Sequence, residues 1–265
     1  MSPAGTQRSL PGASGSPGFP SFLEGLRVVA GREVAAYFDS KIAYVFVIAF
    51  VVLANWLFMS RFFLTGLVDM TAFFDSMPLL LPFFIPAVTM RLWAEERKSR
   101  TIELLLTLPI RTFQAVLGKF LAAFLLFGLA LLGTLPIVVM LVWLGDPDLG
   151  LIASGYLGLL LMGALFLSAG MLISALSCDQ IVTFVVSSLV CLLFVGTGNE
   201  WAVALLDGLS PSLSAGTFLY ESFSVIPHYD AFVRGLIGLS ALIHMLGLSL
   251  LFLWITAQIL ERVRE

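Results

Sequence analysis

Residues 42–60 read IAYVFVIAFVVLANWLFMS, an apolar run without a single charge and with Asn55 as its one strongly polar side chain. At 1.5 Å per residue a helix of this length crosses a hydrocarbon core of about 30 Å. Working outward, apolar runs return at about 78–93, 113–144, 151–176, 181–198 and 236–258. The pattern predicts an all-α, polytopic membrane protein with six transmembrane helices. Composition agrees: 59% of the 265 residues are hydrophobic and 12% charged, with mean hydropathy +1.02. A soluble domain carries about 25% charged residues, and one core in water cannot hide so large an apolar excess.

The segments between the runs set the organisation. Residues 1–21 are rich in Gly, Pro and Ser and lack the apolar core of a signal peptide, so they read as a flexible cytoplasmic tail. Residues 22–40 place Leu23, Leu26, Ala30, Val34 and Tyr37 at helical spacing, with Arg27 and Glu33 flanking the stripe and Arg32 and Asp39 opposite. This predicts an amphipathic helix lying at the membrane interface before the first span. The membrane-spanning body is then 41–265. Its second run holds Pro78, Pro82 and Pro86, which predict a helix that is kinked or starts late, after a loop over 61–77 that carries Asp69 and Asp75. The third is interrupted by Lys119 near its start and Pro136 near its end, and its first turns are expected to project into the cytoplasm. Asp146–Asp148 and Ser177–Gln180 are turns, and 199–235, with scattered charges, is an external segment of short helices on or in the membrane surface.

Basic residues give the orientation. Under six spans, Arg8, Arg27, Arg32, Lys41, Arg91, Arg97, Lys98, Arg100, Arg111, Lys119, Arg262 and Arg264 share the side of both termini, and only Arg61 and Arg234 fall opposite. The positive-inside rule makes that side the cytoplasm. Trp56, Trp93, Trp143, Trp201 and Trp254 fall near predicted span ends, as in an aromatic belt.

Several functions are disfavoured. There is no basic stripe for nucleic acid, no metal-ligand spacing and no nucleophile–base pair. Cys178 and Cys191 match no paired spacing. Asn55, His244 and Glu200 are scattered in depth, against an intramembrane enzyme. Small residues at Ser154/Gly158, Ala164/Ser168 and Gly170/Ser174 predict close helix packing.

The one strongly charged internal segment is 94–111, AEERKSRTIELLLTLPIR. A turn could be far shorter, as 177–180 shows. Thr101–Leu108 are good helix formers and Pro109 stops them. Leu104, Leu105 and Leu108 share a side, while Glu95, Glu96, Arg97, Lys98 and Arg100 crowd the approach. A short polar-apolar helix between two spans fits docking to a partner. A surface loop obeying the positive-inside rule explains the cations but not Glu103 and the leucines.

Residues 86–123, PAVTMRLWAEERKSRTIELLLTLPIRTFQAVLGKFLAA, resemble the signature region of type-2 ABC exporter permeases, and within those the gliding-motility-associated branch; REVAAYFDSKIAYVF (32–46) and LSCDQIVTF (176–184) resemble the same branch. The resemblance implies a cytoplasmic coupling helix between spans two and three, holding Glu95, Glu96, Arg97, Thr101 and Glu103, and a second cytoplasmic contact at Ser177, Asp179 and Gln180. It also implies two ABC ATPase subunits, a second permease, identical or homologous, and a place in the bacterial inner membrane. An extracytoplasmic accessory protein stays open, and membrane lipids are the surroundings. The chain has no glycine-rich phosphate loop. It is therefore expected to be non-catalytic, with no cofactor of its own and ATP and Mg on the partner. The alternative is a scaffold or mechanotransmission subunit anchoring an extracytoplasmic complex.

Overall fold

Where the sequence is apolar the chain is helical. The computed structural model describes residues 21–66, 68–99, 111–198, 203, 207, 208, 220 and 223–264. The predicted tail up to residue 20, the middle of the segment 94–111 and most of 199–222 lie outside the described residues. The helices are α1 (Phe22–Asp39), α2 (Lys41–Thr65), α3 (Thr71–Thr89), α4 (Ala94–Lys98), α5 (Thr112–Leu132), α6 (Leu135–Leu144), α7 (Leu149–Leu176), α8 (Gln180–Gly196), α9 (Ile226–Val233) and α10 (Leu239–Arg264). Among the described residues there is no strand.

Among the described residues five stretches are long and apolar enough to cross a membrane: Ala43–Thr65, Thr71–Lys98, Thr112–Leu144, Leu149–Leu176 and Leu239–Arg262. The expected run at 181–198 is the apolar helix α8, which at 17 residues stands at the lower limit for a span.

The centre of the bundle is α7. Its most apolar stretch is 78% buried, against 22% for that of α2 and 28% for that of α10, so α7 is the post and α2 and α10 turn most of their surface outward. Helices α3, α8, α9 and α10 all pack on α7. Small residues make this possible. A Cβ at Gly155, Gly163 or Gly170 would run into Phe74, Phe127 or Thr89, and one at Gly158 would stand 2.7 Å from Phe232 Cβ. The small-residue pattern thus does packing work between helices.

The three prolines do not delay α3, which starts at Thr71 and puts Asp75 in its first turns rather than in a loop. Pro78 has no N–H for the carbonyl of Phe74, four residues earlier. The hydroxyl of buried Tyr229 on α9 donates to that carbonyl at 2.9 Å. A side chain distant in sequence thus supplies the donor that the proline lacks.

The helix read as interfacial meets the bundle by a face that its apolar stripe does not mark. A capping box at Ser21 and Glu24 starts α1, and this hydrogen bonding holds the Glu24 carboxyl below its ordinary value. The face turned to the bundle is Gly25 and Val29, both buried, followed one turn on by Glu33. Leu23, expected on the apolar side, is 74% exposed. The reason is steric: Gly25 faces the Gln114 amide and Gly118 faces Val29, so α1 lies against α5 along the line where both backbones are bare. Gln114 then donates to the carbonyl of Phe22 at 3.2 Å.

Candidate functional site

Lys119 was expected at the cytoplasmic surface; it is instead 2% exposed and enclosed by three elements. A buried ammonium is costly unless paired and hydrogen-bonded. Its Nζ donates to the Leu92 carbonyl and to Glu96 Oε1, both at 2.8 Å, and lies 3.1 Å from Glu33 Oε1. It also sits over the Trp93 ring, 4.8 Å from the centroid. Trp93 is fully buried, so it is a wall of this site and no interfacial anchor. Trp56, Trp143 and Trp254 are exposed, as an anchoring role asks.

The result is a clasp. Glu33 comes from α1, Glu96 from α4 and Lys119 from α5. Arg32 spans the two carboxylates, 3.1 Å from Glu33 and 3.8 Å from Glu96. A second pair, Arg91 Nε to Glu95 Oε2 at 3.1 Å, ties the end of the second span to α4, and Arg91 reaches Ser40 Oγ at 3.4 Å. Tyr37 stands beside these groups. Burial pushes its hydroxyl above the ordinary value, with Glu33 adding to the shift and Arg91 opposing it. The clasp lines one side of a cleft of about 390 Å³.

From the other side α7 takes hold of the same segment. The buried Ser174 Oγ accepts from the N–H groups of Trp93 and Ala94, at 3.1 and 3.2 Å. The first turn of a helix has unpaired N–H donors that a Ser oxygen satisfies. Here the Ser comes from another helix, so α4 starts on α7.

The predicted site residues fall into two groups. Glu95, Glu96, Arg97 and Lys98 form α4 after Ala94: Glu96 and Glu95 are in the pairs above, Arg97 is half-buried and Lys98 exposed. Arg100, Thr101, Glu103, Leu104, Leu105 and Leu108 lie outside the described residues. Ser177, Asp179 and Gln180 make the turn from α7 into α8. Asp179 Oδ1 accepts from Ile181 and Val182 N–H at 2.8 and 3.2 Å, and Ser177 Oγ from Asp179 N–H at 3.3 Å. The N–H groups of Val182 and Ile181 hold the Asp179 carboxyl below its ordinary value, and the Lys98 charge adds to this. Helix α4 touches both α7 and α8. The two regions separated by some eighty residues therefore meet at one end of the bundle.

Sequence reasoning missed Glu33, Lys119 and Ser174 as members of this site. The signal for Lys119 was available: a lysine one turn inside an apolar run must find a counter-charge. Asn55 satisfies itself by donating to Val51 in its own helix at 2.6 Å. His244 packs against His228 with ring centroids 4.4 Å apart.

The description "ABC-2 family transporter protein" belongs to a family whose pattern matches residues 73–260, which is more than two thirds of the chain. No curated protein matches it.

Proposed function

This chain belongs to the ABC-2 family of transporter proteins, and from that premise we propose that it is the permease subunit of a transporter driven by a separate ATPase chain, with the segment 94–111 as the coupling element. The observation that carries the reading is the clasp. The entry point of the segment is cross-linked to α1, α5 and α7 by Lys119, Glu33, Glu96 and Ser174, so a push on it moves three helices together. Such a mechanism is a population shift: closure of the ATPase pair around nucleotide favours one arrangement of the spans over another.

The full proposal has six spans, with α8 as the short fifth crossing, and both termini on the cytoplasmic side of a bacterial inner membrane. It divides the chain into the tail 1–21, the interfacial helix 22–40 and the permease body 41–265, with 199–235 outside. Two ATPases carry ATP and Mg, and a second permease, identical or homologous, completes the complex. Ser177, Asp179 and Gln180 serve as the smaller partner contact, beside Lys98. The likeness of 32–46 and 176–184 supports the further proposal that the chain is of the gliding-motility-associated branch.

Copurification tests the reading. A tagged chain should bring down an ABC ATPase in equal copy number. Glu103→Arg and Leu105→Asp should abolish ATP-dependent activity while the chain still inserts. Full partner binding and normally stimulated ATPase in both variants would remove the coupling role from 94–111.

A further inference from the structure

The clasp cleft does not end among the charges. Tyr37, Ser40 and Arg91 line it and also line a narrow gap with Phe46 and Ala87. Phe46 and Ala87 in turn line a furrow of about 360 Å³ between α2, α3 and α8, with Phe83, Phe84, Met90 and Phe184. Through these shared lining residues the cleft, the gap and the furrow adjoin, a track from ion pairs to an aromatic, apolar surface. From Arg91 back to Phe83 along α3 the track descends about 12 Å at 1.5 Å per residue. It runs beside the outward-facing helix α2, at the end of the bundle that bears α1.

The charges choose the occupant. Arg32, Arg91 and Lys119 face Glu33, Glu95 and Glu96, three against three, so the cleft is neutral with its signs separated. A purely anionic headgroup would find these cations each already beside a carboxylate. A headgroup carrying both signs can join the Arg91–Glu95 pair without leaving either unmatched. Arg91 has donors beyond its 3.1 Å bond to Glu95 and its long 3.4 Å contact with Ser40, which fits a phosphate. Glu95, 51% exposed, is free to accept from an ammonium. A primary ammonium offers three N–H donors, whereas a quaternary one offers none.

We propose that this track binds one bilayer phospholipid with a phosphate and a primary ammonium in its headgroup, the phosphate at Arg91 and Ser40, the ammonium at Glu95, and an acyl chain in the Phe46–Phe184 furrow. The proposal needs only that the chain sits in a bilayer, so its failure would leave the ATPase-coupling reading untouched.

The test uses the full chain in phosphatidylglycerol vesicles doped with a phospholipid carrying a photoactivatable acyl chain, with either an ethanolamine or a choline headgroup. Peptide mass spectrometry should find adducts concentrated on residues 83–90 and Phe184. In the wild-type chain the ethanolamine probe should exceed the choline probe about tenfold, the scale of one charge-assisted hydrogen bond. Glu95→Gln, which removes the acceptor for the ammonium and leaves Arg91 for the phosphate that both probes share, should bring the ethanolamine probe down to the choline level. Ala87→Phe, which fills the furrow and leaves every charged residue in place, should remove these adducts with both probes. Equal labelling by the two probes in the wild-type chain would overturn the proposal. So would adducts spread evenly over other outward-facing residues such as Leu125 and Leu250.

Discussion

The two ends of this bundle are held together by different chemistry. At the end bearing α1 and α4, charged side chains cross between helices in a set of ion pairs drawn from Arg32, Glu33, Arg91, Glu95, Glu96 and Lys119. At the end bearing α9, side chains close on main-chain carbonyls. Tyr229 donates to Phe74 and Ser154 donates to Phe232 at 2.8 Å, and His228 leans on His244. Burial, with the nearness of His244 added, keeps the His228 imidazole below its ordinary value. A neutral hydrogen bond to a backbone fixes one helix against another at one spot. A buried ion pair shared by three elements moves them as a set and fails as a set. The end with the shared charges is the one that carries the segment proposed to meet the motor.

The largest expected effect comes from breaking that set. Lys119→Met leaves Glu33 and Glu96 facing each other without their buried cation, with only the exposed Arg32 still beside them, and should destabilise the protein by about 3–5 kcal/mol in unfolding measurements in detergent. Adding Glu33→Gln and Glu96→Gln should restore much of the loss, because the cost lies in unpaired charge. If the triple variant were no better than the single one, packing rather than charge would hold this end. At the other end Tyr229→Phe should cost less, about 1–3 kcal/mol, by leaving the Phe74 carbonyl without a donor beneath Pro78. An equal or larger loss than for Lys119→Met would erase the contrast between the ends. Ser174→Ala comes next, with about 1 kcal/mol and faster amide exchange at Trp93 and Ala94. The smallest effect is a pH dependence at Asp179. Its carboxyl is held below the ordinary value, so its support of α8 is present above the unfolded value and is lost as pH falls through the lower folded one. Amide protection of Ile181 and Val182 should fall in that acid window, and Asp179→Ser should keep the cap but lose the pH dependence.

The apolar helices were legible because lipid permits so few backbone solutions: a charge-free run such as 42–60 has to be a helix. The face that α1 turns to the bundle was not, because no apolar stripe marks it: the contact is decided by two glycines, Gly25 and Gly118, on different helices. Trp93 was misread for a related cause. A tryptophan at a span end looks the same in sequence whether it faces lipid or roofs a lysine. The clasp was out of reach from spacing alone, since Glu33 and Lys119 belong to separate elements and only the fold of α1 onto α5 brings them together. Tyr229 and Phe74 stand 155 positions apart, and no local pattern ties a tyrosine to an orphaned proline turn. Glu95–Lys98 and Ser177–Gln180 were singled out separately, and their proximity is a property of α7 and α8 rather than of either motif.

The chain carries its own probe for the central claim, that the clasp end faces the compartment of the ATPase. Cys178 is exposed in the turn beside Asp179, and Cys191 is buried. A membrane-impermeant maleimide applied to the unmodified protein reads which side that turn is on. The account predicts no labelling of Cys178 in intact cells and strong labelling in inside-out membrane vesicles. Labelling from outside intact cells, with protection in the inverted vesicles, would put the clasp and the segment 94–111 on the wrong side of the membrane and contradict the coupling role.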